Sequence, residues 1–283
     1  MQLLCIDIES EFGAFNKPFS NTGGLLTYKT PPKTAIIGLL GAVVGYDLSK
    51  TLETFKGTKV GIEPLRNIET KTITYLCHYG YGGHPDRERR GIPVNIKQEL
   101  IVRPQYRLYI EIESGVDAKN KRLLQDINKL LQKTGVQEEA EHVRDGLELL
   151  FKNHISYYSL YMGKNDFPLR YSLRDVETDK LQPADMEKYF PTNCVVPRDG
   201  VSNPKITVTE EKFGRLKLKR SKPFSFFILS NVPFSQTPDR EFTEFKDFLL
   251  KDRSRETVME VVPKRKDDYS FYTDEDGNLI VCF

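Results

Sequence analysis

The segment from Lys17 to Lys33, KPFSNTGGLLTYKTPPK, carries three cations and no acidic residue. Lys17, Lys29 and Lys33 stand among Ser20, Asn21, Thr22, Gly23, Gly24 and Thr27 and lead into a helix that begins at Pro31-Pro32. Ammonium groups, hydroxyls and bare glycine amides at a helix start are what a phosphate backbone asks for, since free N–H groups and the helix dipole add to the charge. A solvated loop capping a helix has the same composition. From Tyr75 to Arg107 the rings Tyr75, His78, Tyr79, Tyr81, His84 and Tyr106 interleave with Arg87, Arg89, Arg90, Lys97, Arg103 and Arg107. Single-stranded nucleic acid is gripped in this manner, with stacking worth ~1–3 kcal/mol per base and cations tracking the phosphates. A solvated surface excursion is the plain alternative. A third stripe, Arg215, Lys217 and Lys219 on one face of RLKLKR, suits phosphates or a charge-protected edge strand.

Other chemistries find no support. The four histidines (His78, His84, His142, His154) sit neither in H-E-x-x-H nor at ligand spacing with another His or Cys, so no metal site and no cofactor is expected. There is no G-x-S-x-G and no G-x-x-x-x-G-K-[ST], which removes the common serine hydrolases and P-loop NTPases. Cys5, Cys77, Cys194 and Cys282 are scattered over the chain and read as ordinary thiols. With 42 Lys+Arg against 40 Asp+Glu the net charge is +2, so any polyanion site is a local patch. Hydrophobic residues at 39% and charged residues at 29% of 283 place the chain among globular proteins. The longest apolar run, Ala35 to Tyr46, falls short of the ~20 residues of a membrane span, and no basic residue precedes it before Lys17. The expected location is the cytoplasm, with no membrane partner.

The elements that must position these patches follow from periodicity. Met1 to Glu9 reads as a strand, Phe12 to Lys33 as a loop, and TAIIGLLGAVVG as a helix whose Gly38, Gly41, Ala42 and Gly45 form one smooth packing face. Lys59 to Thr74 is strand-like, with Pro64 marking an edge or a break. Gln105 to Ser114 alternates, placing Tyr106, Leu108, Ile110 and Ile112 on one face and Arg107, Tyr109, Glu111 and Glu113 on the other. Ala118 to Lys133 and Glu138 to Phe151 have helical spacing around the Gly135 break, and Phe167 to Glu177 is a further strand. The order β, α, β, β, α, β predicts an α+β, ferredoxin-like (RRM-like) core, with two helices on one sheet face and the other face free for a ligand. A smaller β-rich region, 191–283, follows residues 1–190. It holds strands at Arg215 to Arg220 and Phe224 to Leu229 and a terminal hairpin, Tyr269 to Tyr272 with Leu279 to Cys282, around Asp276-Gly277.

These residues carry a family resemblance. Phe12-Gly-Ala-Phe-Asn-Lys-Pro-Phe19 followed by Thr27-Tyr-Lys-Thr-Pro-Pro-Lys-Thr-Ala-Ile-Ile-Gly-Leu-Leu-Gly-Ala42 resembles the N-terminal signature of the CRISPR-associated Cas-five family, the small subunit at the foot of type I Cascade complexes, and is similar to type I-B forms. Weaker family-like features are Arg103-Pro-Gln-Tyr-Arg-Leu-Tyr109 and Tyr161-Met-Gly-Lys-Asn-Asp166, so the resemblance covers roughly residues 1 to 180. It implies a ferredoxin-like core of the repeat-associated RNA-binding type that holds the 5′ handle of crRNA. A thumb hairpin, here about 75–104, would clasp the RNA beside the first backbone subunit. The partners implied are crRNA, the Cascade backbone and large subunits, and target DNA in the assembled complex.

One branch of that family cuts the repeat RNA without metal, using Tyr, Lys and His as base, acid and transition-state cation. Tyr46 falls where such a tyrosine would stand, but no lysine directly precedes any histidine. The expectation is therefore a binder without catalytic residues, with an endoribonuclease built on Tyr46, His78 or His84, and Lys97 as the second reading.

Overall fold

The computed structural model describes residues 2–20, 24–79, 92–112, 118–174, 180–208, 212–213, 216–217, 226–253 and 257–283. The chain runs β1 (Gln2–Glu9), β2 (Phe12–Gly13), α1 (Lys33–Val44), α2 (Leu48–Thr54), β3 (Lys59–Pro64), β4 (Glu69–Tyr79), β5 (Ile92–Val102), β6 (Gln105–Ile112), α3 (Ala118–Lys133), α4 (Val143–Lys152) and β7 (Arg170–Leu173). After these come β8 (Gln182–Pro183), β9 (Phe190–Thr192), β10 (Val196–Pro197), β11 (Val201–Val208), β12 (Lys212–Phe213), β13 (Leu216–Lys217), β14 (Phe226–Gln236), β15 (Phe242–Lys251), β16 (Thr257–Pro263), β17 (Ser270–Thr273) and β18 (Leu279–Cys282).

The central sheet has the order β3-β6-β1-β7 with every pair antiparallel. Helices lie between β1 and β3 and between β6 and β7, so the connectivity is βαββαβ and the core is ferredoxin-like. Register fixes the faces: Ile8 opposes Tyr106 and Tyr171, Ile6 opposes Leu108, and Leu4 opposes Ile110. The helices cover this face, where Phe151 of α4 meets Tyr171 edge-on at 5.2 Å. The second helical segment starts at Val143 rather than Glu138, and α3 ends in a left-handed Gly135, so the two helices form a hairpin and not one kinked helix. The last core strand is four residues, shorter than the 167–177 run. Among the described helices, no single one is long and apolar enough to cross a membrane.

The opposite sheet face is not free, which corrects the sequence expectation. Leu3, Cys5 and Tyr109, all on that side by register, are buried. The C-terminal strands cover them: an added Cβ on Gly61 would stand 2.6 Å from the Val281 carbonyl oxygen and 3.3 Å from Cys282 Sγ. The outward edge of β3 is covered too, since Val60 and Phe283 exchange backbone hydrogen bonds of 3.0 Å and Val195 N–H donates to the Ile62 carbonyl at 2.7 Å. One hydrophobic core therefore runs from Leu3 through Phe283, across residue 190.

Two further sequence expectations are refined. The hairpin beyond β3 begins at Glu69, six residues before Tyr75, because β4 and β5 pair over the full length from Glu69↔Val102 to Tyr79↔Ile92. Pro64 ends the edge strand, where its missing donor costs no ladder bond. On α1, Gly41 takes Thr51 of α2, and Gly45 takes the Tyr157 ring, while Gly38 meets nothing within 4 Å. Packing is thus the role of two of those three glycines.

Gly61→Ala should destabilise the fold by about 1–3 kcal/mol, because the methyl must displace a backbone carbonyl. Gly38→Ala should stabilise it by about 0.5–1 kcal/mol through helix propensity alone. Urea unfolding of both variants checks this, and equal midpoints would show that the C-terminal strands do not bear on β3.

Candidate nucleic-acid interface

The Lys17–Lys33 segment is a pinned loop. Asn16 and Thr27 bridge antiparallel, Lys17 N–H donates to the Leu26 carbonyl at 2.8 Å, and Tyr28 N–H donates to the Phe15 carbonyl at 2.8 Å. Buried Thr27 accepts from Phe15 N–H with its hydroxyl (2.8 Å), and its own N–H donates to Glu99 Oε2 (3.0 Å). Leu25 then stitches the loop to β5, donating to the Lys97 carbonyl and accepting from Glu99 N–H, both at 2.8 Å. From the other side the fully buried Tyr106 donates its hydroxyl to the Lys29 carbonyl at 2.6 Å. Ser20 is spent on loop shape: it donates to the Lys17 carbonyl and accepts from Leu26 N–H. Asn21 and Thr22 lie outside the described residues.

The three lysines have different fates. Lys17 lies 5.5 Å from the Tyr28 ring centroid and Lys29 sits 3.6 Å over Phe227, both partly exposed. Lys33 sits 4.4 Å over Phe234, the ring that Lys246 also approaches at 3.8 Å. Burial first, and Lys246 second, pull the Lys33 ammonium down to about 8. Lys33, partly exposed like the other two, thereby packs its ammonium against the β14–β15 ribbon.

On the hairpin, Lys97 is exposed, as are Ile73, Tyr75 and Leu76. His78 and Tyr79 fall in β4, with side chains outside the description. Tyr81, His84, Arg87, Arg89 and Arg90 lie outside the described residues, as do the side chains of the Arg215 to Arg220 stripe. Arg103 is exposed at φ +46°, 3.9 Å from Glu11. Tyr106 and Arg107 leave the interleaved set: the first is core, and the second is bound to Asp7 at 2.8 Å. Burial would raise the Asp7 carboxyl, but the hydrogen bonds from Arg107 and Arg174 outweigh it and hold the group below the ordinary carboxylate range.

Tyr46 is committed elsewhere. Its hydroxyl donates to Asp126 Oδ2 on α3 at 2.8 Å, Lys50 reaches the same oxygen at 3.0 Å, and the Lys50 ammonium lies 3.7 Å over the Tyr46 ring. Burial, then the bond to Asp126, push the phenol above its ordinary value, opposite to what a general base needs. Lys97 belongs to β5 beside Leu25, on another element from the Tyr46–Asp126 pair.

Residues 3–139 match the family described as "CRISPR-associated protein (Cas_Cas5)". That match spans just under half of the chain. No curated protein matches it. Among solved structures it is similar to a CRISPR protein from Archaeoglobus fulgidus at 13% identity, over 99% of this chain and 98% of that one, with a TM-score of 0.46. It is also similar to a chain titled "CRISPR RNA-guided surveillance complex" at 12% identity, over 93% and 90%, with a TM-score of 0.43.

Sequence reasoning missed the residues that seat the basic loop. Phe227, Phe234 and the Asn231 carbonyl, which accepts from the Tyr28 hydroxyl, come from β14, some two hundred positions away. The run Phe224 to Leu229 did read as a strand, but periodicity names no partner; the strand extends from Phe226 to Gln236.

The Lys33 site yields a pH prediction. It faces Lys246, Glu244, Asp268 and Lys59. Between about 8 and the free-lysine value the unfolded chain holds a proton that the folded chain has released, so stability rises with pH across that window. Lys33→Met should flatten the rise, read as the difference in urea midpoint between wild type and variant on either side of the window. A difference that stays constant with pH would place the ammonium in solvent.

Proposed function

We propose that this protein is a Cas5-type, non-catalytic subunit of a CRISPR effector complex that binds the 5′ handle of crRNA and caps the backbone-subunit filament. Lys17, Lys29 and Lys97 would follow the phosphates, and the β4–β5 hairpin would reach the RNA and the adjacent backbone subunit. The large subunit and target DNA join it in the assembled complex. The observation that carries the binding reading is the pinned loop beside β5: it holds Lys17 and Lys29, neither of which has a carboxylate within ion-pair distance among the described residues. Fixed donors lose little conformational freedom when RNA docks. The exposed Tyr75 on the same hairpin offers a stacking surface.

The second reading, a metal-independent endoribonuclease, keeps Tyr46 as its one specific residue, and the Asp126 bond argues against it. Incubation of the chain with labelled repeat RNA in EDTA separates the two. The expected outcome is a bound, intact RNA; a specific product that vanishes in Tyr46→Phe would establish cleavage instead.

Counterion release gives a second measurement. Lys17→Ala and Lys29→Ala should each flatten the salt dependence of RNA binding by up to ~0.7 log units per log unit of salt. Lys33→Ala should leave that slope unchanged and register only in stability. If all three variants keep the wild-type slope, the loop does not meet phosphates.

A further inference from the structure

A cavity of about 380 Å³ opens between the start of α1, the residues after β2, the turn at Gly163 and the tip of the β14–β15 ribbon. Its lining holds two cations, Lys164 and Arg240, together with Asn16 and Gln236, and no acidic residue. Among the described residues neither cation has a carboxylate within 4.0 Å. Unpaired cations lining one concavity lower the cost of bringing in an anion, because the anion supplies the counter-charge that the protein leaves out.

The donors are aimed by a buried amide. Gln98, 2% exposed, gives its Nε2 to Asn16 Oδ1 at 3.0 Å and accepts from Lys164 Nζ with its Oε1 at 2.5 Å. With Asn16 Oδ1 occupied, the amide of Asn16 keeps its N–H donors, and Lys164 keeps two of its three. The site is therefore rich in donors. The turn that delivers Lys164 needs glycine at 163, which sits at φ +88° with its missing Cβ 2.1 Å from the Ala14 carbonyl oxygen. The segment Tyr161 to Asp166, singled out in the sequence with no function attached, thus has a positional purpose. Phe15 and Phe242 supply apolar wall beside these donors, so the cavity suits a phosphate with a nucleoside attached more than a bare ion.

We infer that this cleft holds one nucleotide of the bound RNA, its phosphate between Lys164 and Arg240 and its nucleoside against Phe15 and Phe242. The inference rests on the RNA-binding reading above and adds a site whose cations are distinct from Lys17, Lys29 and Lys97.

The test uses the full chain with uridine 5′-monophosphate and uridine as probes, by calorimetry or NMR titration. The monophosphate should bind at least about tenfold more tightly than uridine, single-stranded RNA should displace it, and the double variant Lys164→Gln, Arg240→Gln should weaken it by about tenfold or more with an unchanged melting profile. Equal binding of the two probes, no binding of the monophosphate, or an unchanged affinity in the double variant would overturn the site. Failure of RNA to displace the monophosphate would overturn its assignment to RNA. As a separate arm, Lys17→Ala with Lys29→Ala should weaken handle RNA while leaving the monophosphate affinity intact. If handle RNA does not bind wild type but the monophosphate binds through Lys164 and Arg240, the subunit reading fails and the phosphate site stands.

Discussion

Burial of the β6 strand on both faces is the constraint on which the rest of the molecule depends. A ferredoxin-like sheet with helices on one side ordinarily leaves its second face to solvent or ligand. Here Tyr109 and Cys5 on that face are buried under Val281 and Cys282, and Gly61 is the residue that lets the covering chain approach. Two polar groups caught beneath are paired: Tyr109 donates to Glu63, and Arg253 of the C-terminal region answers Glu63 at 3.0 Å. An unpaired charge at that depth would cost several kcal/mol, so the C-terminal region brings its own arginine to the sheet. The proposed ligand site therefore lies off the sheet face, where the basic loop meets β5 and the start of α1.

That end is organised by backbone hydrogen bonds more than by charge. Tyr106, whose ring belongs to the core, holds the loop by the Lys29 carbonyl, and Leu25 holds it to β5. Lys29 and Lys33 are then set over rings delivered by β14, contacts worth roughly 0.5–2 kcal/mol each depending on exposure. The same device yields opposite outcomes. Lys29 over Phe227 stays at the surface, whereas Lys33 shares Phe234 with Lys246, and there burial and the neighbouring ammonium disfavour the charge on Lys33.

Tyr46 illustrates how a motif position and a chemical role come apart. Its place after the glycine helix follows from sequence, yet its hydroxyl answers to Asp126 on α3, eighty residues on, with Lys50 completing the cluster. A phenol bonded to a carboxylate holds its proton more firmly, so the local arrangement opposes base chemistry at that atom.

The βαββαβ order, the two faces of β6, the paired helices and the terminal hairpin were determined by the sequence alone, because hydrophobic period and turn chemistry are local properties of the chain. The family-like motif between Phe12 and Ala42 was legible for a related reason: its residues shape one contiguous loop and helix. Only the tertiary structure decided that Tyr109 is buried, that Lys33 packs over Phe234, that Arg107 pairs with Asp7, and that Lys164 lines one cleft with Asn16 and Arg240. Each of these depends on a partner from a distant part of the chain, and alternation along a strand records which side a residue faces without recording what covers that side.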